Sequence, residues 1–304
     1  MNSWILIAVC GHLSNAVAFI VDKTLLTTAL KRSSTYAAMI GIFSFVTIVA
    51  APWVKAWPSL ALIPVILGFG GFFVLALWAF FEALKEAEAS RVVPIVGSLI
   101  PIFTLAGTSV LFGERLSLFQ ASGFALLLVA TWLLTRGGSK KSGLTRGTVL
   151  ISILASVLFA AASVSGKYAF EHGDFIGVFI ASRMAAGLVG LVVLACVAGA
   201  RRELLGMIKP KPHAQKQKSH TAAWAVFGQA CGAVGFLLVH LAIAQGSAAL
   251  VNALQAVQYA AIVLVAWFGG KHLARLLNEE RSPMIVAVKS GAIVIVAAGL
   301  FLLT

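Results

Sequence analysis

Charge is what this chain has least of. Asp, Glu, Lys and Arg make up 11% of its 304 residues, and only 10 residues are acidic. A soluble domain takes roughly 25% charged residues to clothe its surface, so a soluble globular fold is excluded. None of the acidic residues lies in the middle of an apolar run. Cysteine is also sparse. Cys10, Cys196 and Cys231 all fall within apolar stretches without C-x-x-C spacing, which argues against structural disulfides and a zinc site and leaves them as small hydrophobes. There is no H-E-x-x-H, no G-x-S-x-G and no pair of aspartates inside an apolar run, so no catalytic set is visible and an enzyme is not expected. The net charge of +13 would suggest nucleic acid for a soluble protein, but no polar domain exists to carry such binding. Neither a nucleic-acid partner nor a cofactor or metal is expected.

Hydrophobicity is what the chain has in abundance: 60% of residues are hydrophobic and the mean hydropathy is +0.99. The apolar segments run to about 20 residues, enough for a helix to cross a ~30 Å hydrocarbon core. They are continuous rather than alternating, which excludes a membrane β-barrel. The pattern predicts an all-α integral membrane protein with ten transmembrane helices, at 4–21, 35–54, 59–81, 91–112, 117–135, 148–169, 175–198, 222–244, 248–269 and 284–303. Ala16-Val17-Ala18 resembles a signal-peptide cleavage site, but the Met-Asn-Ser start has no positive side chain, and His12 and Asn15 interrupt the apolar stretch. A retained first helix is therefore expected.

The basic residues sort by loop. Of the 23 Lys and Arg, 18 fall in or beside the loops after odd-numbered spans, among them the linkers Arg136–Gly147 and Arg201–His220. The even loops hold only Lys55, Arg115 and Lys167. The positive-inside rule then places the odd loops in the cytoplasm and both termini outside, in a multi-pass inner-membrane protein whose basic loops meet anionic lipid.

The stretch Ala83–Leu134 combines a polar corner, a helix carrying Pro94 and Pro101, a Gly113-Glu114-Arg115 turn and a second apolar helix; a weaker copy runs from Ala242 to Leu303. At an offset of 144, Leu6-Ile7 matches Leu150-Ile151, Ala16 matches Ala160 and Lys23 matches Lys167; at an offset of 159, Ala83 matches Ala242 and Val92 matches Val251. The organisation is thus a first five-helix repeat at 1–135, a linker at 136–147 and a second five-helix repeat at 148–304. Because five is odd, the two repeats are inverted in the membrane, an arrangement that implies alternating access around a site at their interface.

The runs ALKEAEASRVVPIVGSLIPIF and LFGERLSLFQASGFALLLVATWLL resemble the EamA-type domain of the drug/metabolite transporter superfamily. The resemblance implies a carrier of small metabolites with ten helices around a central cavity. Members move amino acids, sugars, nucleotide-linked compounds or drugs, and are often drawn with both termini in the cytoplasm, the reverse of the charge count here. The small multidrug-resistance branch of the superfamily depends on a membrane-embedded carboxylate. No such residue is present, which weighs against antiport of cationic drugs.

Polar side chains inside spans are costly and are the first candidates for a site. His12, Asn15, Phe19 and Asp22 form a stripe on the first helix, as do Gln229, Gly232, Phe236 and His240 on the eighth. Asn252, Gln255 and Tyr259 share a face of the ninth, and Ser98 lies between the prolines of the fourth. With Trp78 of the third helix, the residues His12, Asn15, Ser98, Gln229, His240, Asn252, Gln255 and Tyr259 are the candidate cavity lining. The bland alternative for each Asn, Gln or His is a hydrogen bond to a neighbouring helix. Pro94 and Pro101 read as helix-kinking elements. Glu82 and Lys85 form either a salt-bridged gate or a solvated helix end. Arg183 is expected to pair with Glu171 or Asp174, with anion binding as the alternative, and Lys167 has the same ambiguity. The leading reading is a secondary carrier of a small polar metabolite, an amino acid or related compound. A carrier of anionic phosphorylated or nucleotide-linked compounds, a channel and a non-transporting scaffold are the competitors; a homodimer is compatible with all of them.

Overall fold

The computed structural model describes residues 3–26, 32–87, 89–135, 145–208, 218–270, 277 and 282–304. Most of the basic linker 136–147 and residues 209–217 and 271–276, which carry much of the charge asymmetry, lie outside these residues. Among the described residues all regular structure is helical. The helices are α1 (Ser3–Leu26), α2 (Ser33–Phe43), α3 (Ile63–Glu86), α4 (Ala89–Phe112), α5 (Leu118–Thr135), α6 (Arg146–Glu171), α7 (Phe175–Cys196), α8 (Ala198–Ile208), α9 (Lys218–Gln245), α10 (Ala248–Ala253), α11 (Gln255–Phe268) and α12 (Pro283–Leu303). Among the described residues, ten segments are long and apolar enough to cross a membrane, and they coincide with the ten expected spans.

The second and ninth spans depart most from a plain helix. The second runs on from α2 as a 3₁₀ helix over Ser44–Trp53. There the Ser44 hydroxyl donates to the Ile40 carbonyl at 3.0 Å and the Thr47 hydroxyl to that of Ser44 at 2.8 Å. Such side-chain bonds compete with the i−4 ladder, and Pro52 removes a further donor. The ninth span is split at Leu254 into α10 and α11.

Helix ends follow from local chemistry. Asp174 caps α7 by accepting from the Gly177 N–H at 3.1 Å, and Ser247 caps α10 by accepting from the Leu250 N–H at 3.1 Å. The Gly113-Glu114-Arg115 turn ends α4: Gly113 adopts φ +66°, and the Glu114 N–H returns to the Thr108 carbonyl at 3.4 Å. Pro94 and Pro101 sit inside α4 without ending it.

Packing has the symmetry expected of repeats. The most extensive pairings are α1 with α9 and α3 with α6, which are counterparts if the first span corresponds to the sixth and the third to the eighth. The second and seventh spans pack on each other, as do α5 and α12, each span meeting its own counterpart. Small residues allow these approaches: a Cβ on Gly190 would lie 2.6 Å from the Ala38 carbonyl oxygen, and one on Gly123 would lie 3.0 Å from that of Gly299. Leu6, Phe43, Val110, Phe119, Val294 and Phe301 stand exposed on the outer surface, as lipid-facing side chains must. The split ninth span is the most enclosed, 67% buried against 22% for the last. It forms the centre.

Candidate functional site

The break in the ninth span is fastened by polar groups from both halves of the chain. Leu254 donates its N–H to the Leu250 carbonyl at 3.0 Å, and Val257 donates to Leu254 at 2.9 Å in a tightened turn. Val251, whose helical i+4 partner would lie beyond the break, accepts from His12 Nε2 of α1 at 2.8 Å. A carbonyl can only accept, so Nε2 carries the proton; His12 Nδ1 is buried. Asn252 Nδ2 donates to Thr104 Oγ1 of α4 and Ser163 Oγ of α6, both at 3.0 Å. Two of the expected site residues thus bind α10 to α1, α4 and α6. Tyr259 joins them, its hydroxyl 2.8 Å from where a Cβ on Gly97 would sit. Ser98, one residue on, has a buried hydroxyl with no hydrogen-bond partner.

The second cluster surrounds Arg183. The expected pairing with Glu171 or Asp174 does not form. Glu171 takes Lys167 Nζ at 3.0 Å, one helical turn back, and Asp174 is occupied at the start of α7. Arg183 is only 4% exposed and sits among four phenyl rings, its guanidinium carbon 4.1 Å from the centroid of Phe236, 4.8 Å from Phe73, 5.4 Å from Phe69 and 5.9 Å from Phe179. Its Nε and Nη2 are buried with no hydrogen-bond partner. Cation–π contacts contribute about 0.5–2 kcal/mol each. A buried donor left unpaired costs about 1–3 kcal/mol, and more when charged. The rings therefore offset much of the cost of burial while leaving the guanidinium's hydrogen-bonding capacity unused. His240 stacks on Phe236 at 3.9 Å and donates Nδ1–H to the Phe236 carbonyl at 2.8 Å, which leaves Nε2 as an acceptor. Phe69 and Phe73 come from α3; Phe179, Arg183, Phe236 and His240 come from α7 and α9.

The two clusters meet at the crossing of α1 and α9, where a Cβ on Gly11 would lie 2.9 Å from the Val239 nitrogen. His12 and His240 directly follow those two residues. Asn15 is half-buried against Gly235 at the same crossing. Trp78 and Gln255 are half-buried, and Gln229 is exposed, three helical turns before His240 on α9. Glu82 and Lys85 are 3.8 Å apart and about 40% exposed, a pair at the periphery. The same corner has stronger ties: Ser33 donates to Glu82, Thr148 to Glu86 at 3.0 Å and Thr35 to Glu203 at 2.6 Å. These hydroxyl–carboxylate bonds fasten the first turns of α2 and α6 to α3 and α8 on the face that carries the basic loops.

Sequence reasoning missed Phe69, Phe73, Phe179, Thr104 and Ser163, and a second deep cation. Lys289 is 4% exposed, two turns into α12. The signal for it was a lone lysine in an apolar run. The signal for the ring box was a four-residue spacing used three times, in Phe69/Phe73, Phe179/Arg183 and Phe236/His240.

Residues 2–136 match the model of the EamA-like transporter family. Over that part, the chain is similar to the EamA-like transporters. The match ends where the first five-helix segment ends. The EamA-like half supplies α1 to α5, and so His12, Phe69, Phe73, Ser98 and Thr104; its partners across both clusters come from the unmatched half. The matched family is one of transporters. No curated protein matches the chain. Of the solved structures, 29 chains match. One, a crystal structure of a protein, shares 18% identity at a TM-score of 0.66, with 99% of this chain and 96% of that one covered. At that identity the likeness speaks for the fold alone.

Proposed function

We propose that this multi-pass membrane protein is a secondary carrier that moves a small polar metabolite, an amino acid or related compound, by alternating access. The observation that carries the reading is the split ninth span. It lies at the centre of an apolar bundle, and its polar groups are bound by residues from both halves, His12 and Thr104 from the first and Ser163 from the second. Discontinuous helices at a repeat interface are where carriers of this architecture hold their substrates. His12, Ser98, Asn252 and Tyr259 together with Arg183 and His240 form the site in this reading; the Glu82, Glu86 and Glu203 contacts close it on the basic face. A channel needs no such closure, and a scaffold needs no polar centre. Purified protein in liposomes is expected to catalyse saturable counterflow of labelled metabolite pools. Flux that fails to saturate would indicate a channel, and absence of flux for every pool would refute transport altogether.

The orientation follows from charge. With the basic loops in the cytoplasm, the even loop carrying exposed Lys55 faces outward. A Lys55→Cys variant is expected to react with a membrane-impermeant maleimide in intact cells. Reaction only after permeabilisation would reverse the topology, placing both termini in the cytoplasm.

A further inference from the structure

What the site recognises is written in the unused edge of Arg183. Nε–H and the neighbouring Nη2–H project in parallel from one side of a guanidinium, and their spacing matches the two oxygens of a carboxylate. In this protein both of these nitrogens are buried and, among the described residues, neither has a hydrogen-bond partner. We propose that this edge binds the carboxylate of a monoanionic substrate whose apolar body packs among Phe69, Phe73, Phe179 and Phe236. The assignment rests on the carrier reading above and narrows its substrate class.

Charge and lining both select for such a molecule. The box holds one cation. Lys167 is committed to Glu171 at 3.0 Å, and Lys289 lies on α12, which packs mainly against α5 and α11. A phosphate dianion brought to this depth would keep an uncompensated charge, whereas a carboxylate is neutralised by the single guanidinium. The walls are phenyl rings within 4.1–5.9 Å of the guanidinium carbon, which have no hydrogen bonds to give to sugar hydroxyls but accept a flat or branched apolar group readily. His240 adds one polar contact at the rim: its Nδ1 is held by the Phe236 carbonyl at 2.8 Å, so Nε2 can accept from a hydrogen-bond donor on the substrate. Phe69 and Phe73 come from the first half of the chain, the remaining residues from the second, so ligand binding is coupled to the contact between halves.

The test uses three probes that share a phenyl ring: phenylacetate, its neutral amide phenylacetamide, and phenyl phosphate. Binding to the full-length protein in detergent is read by calorimetry and by shift of the thermal midpoint. Phenylacetate is expected to bind saturably, and at least about tenfold more tightly than either of the others, the loss expected when a bidentate charged hydrogen-bond pair is not made. Arg183→Lys keeps the charge but not the edge and is expected to weaken phenylacetate about tenfold; Arg183→Gln weakens it further. Equal binding of all three probes, no saturable phenylacetate binding, or folded Arg183 variants that bind like the parent would each overturn the assignment. Should the Arg183 variants fail to fold, the comparison of the three probes on the parent protein decides alone. Counterflow in liposomes separates this inference from the one beneath it. Counterflow that persists while phenylacetate neither binds nor competes sinks the carboxylate site and leaves the carrier; phenylacetate binding without counterflow of any pool sinks the carrier.

Discussion

Gly70→Leu is expected to abolish accumulation of folded protein, and Gly70→Ala to lower its thermal midpoint sharply, while Gly71→Ala next to it is tolerated. A Cβ on Gly70 would run into the Ser182 carbonyl oxygen and lie 2.6 Å from the Ala186 nitrogen and 2.8 Å from the Ala185 Cβ. Two of those three atoms are backbone, so no side chain can swing away and α3 must separate from α7. Overpacking that shifts backbone costs about 1–3 kcal/mol for a methyl-sized insertion, and a leucine adds three more carbons to the same gap. At Gly71 the nearest atom to a Cβ is 3.6 Å away on the Val189 side chain, an ordinary contact. The position carries a functional consequence too. Gly70 follows Phe69 in the chain, and Ser182 precedes Arg183, so the close crossing is what brings the ring box around the guanidinium. Any Gly70→Ala protein that folds is therefore expected to lose phenylacetate binding along with stability. Comparable melting of the Gly70→Ala and Gly71→Ala proteins would show that the crossing is looser than the geometry demands.

How much was legible in the sequence depends on the range of the interaction. Span number and class could be read because hydrocarbon thickness sets segment length locally, and charges such as Lys55 and Arg115 punctuate the runs. The turn at Gly113 was readable for the same reason: a glycine before a charged pair, between apolar helices, ends one helix within three residues. The split at Leu254 was not. Ala253-Leu254-Gln255 has neither proline nor glycine, and what stabilises the break is a histidine 239 residues away donating to Val251. Arg183 was singled out as a costly cation, yet its surroundings were misassigned because chain proximity favoured Glu171 and Asp174. Lys167 lies one turn from Glu171 on the same helix and takes it; the phenyl rings that surround Arg183 come from α3, α7 and α9. Of the stripe residues, His12 and Asn252 sit at the centre because their helices cross there, whereas Gln229 shares His240's helix but is exposed. Helical spacing selects a face; it does not say how far along that face the site extends.

Asn252→Ala is expected to reduce transport turnover by more than about tenfold while changing apparent substrate affinity far less. The sequence alone suggests the opposite, an altered affinity with folding unchanged, because a polar face on a central helix reads as cavity lining. In the structure both hydrogens of the Asn252 amide are spent on protein, one on Thr104 Oγ1 and one on Ser163 Oγ, each at 3.0 Å. Thr104 in turn donates to the Ile100 carbonyl at 2.8 Å, so its hydroxyl has an acceptor site filled only by Asn252. Interhelical bonds of this kind contribute about 0.6 kcal/mol on average and up to about 1.7, so losing both costs about 1–3 kcal/mol of stability. What they fix is the position of α10 relative to α4 and α6, one helix from the first half and one from the second. A carrier that alternates must break and remake such a contact in each cycle, and weakening one arrangement shifts the populations of the two. Asn252→Asp is expected to be worse than alanine, since it buries a carboxylate with no cation beside it among the described residues and sets its oxygens against Thr104 Oγ1, whose own hydrogen is committed to Ile100. A double-mutant cycle of Asn252→Ala with Thr104→Val isolates the bond: the paired variant should be less impaired than the sum of the two. Additive losses would separate the two residues, and a large rise in KM with unchanged kcat in Asn252→Ala would return Asn252 to the substrate.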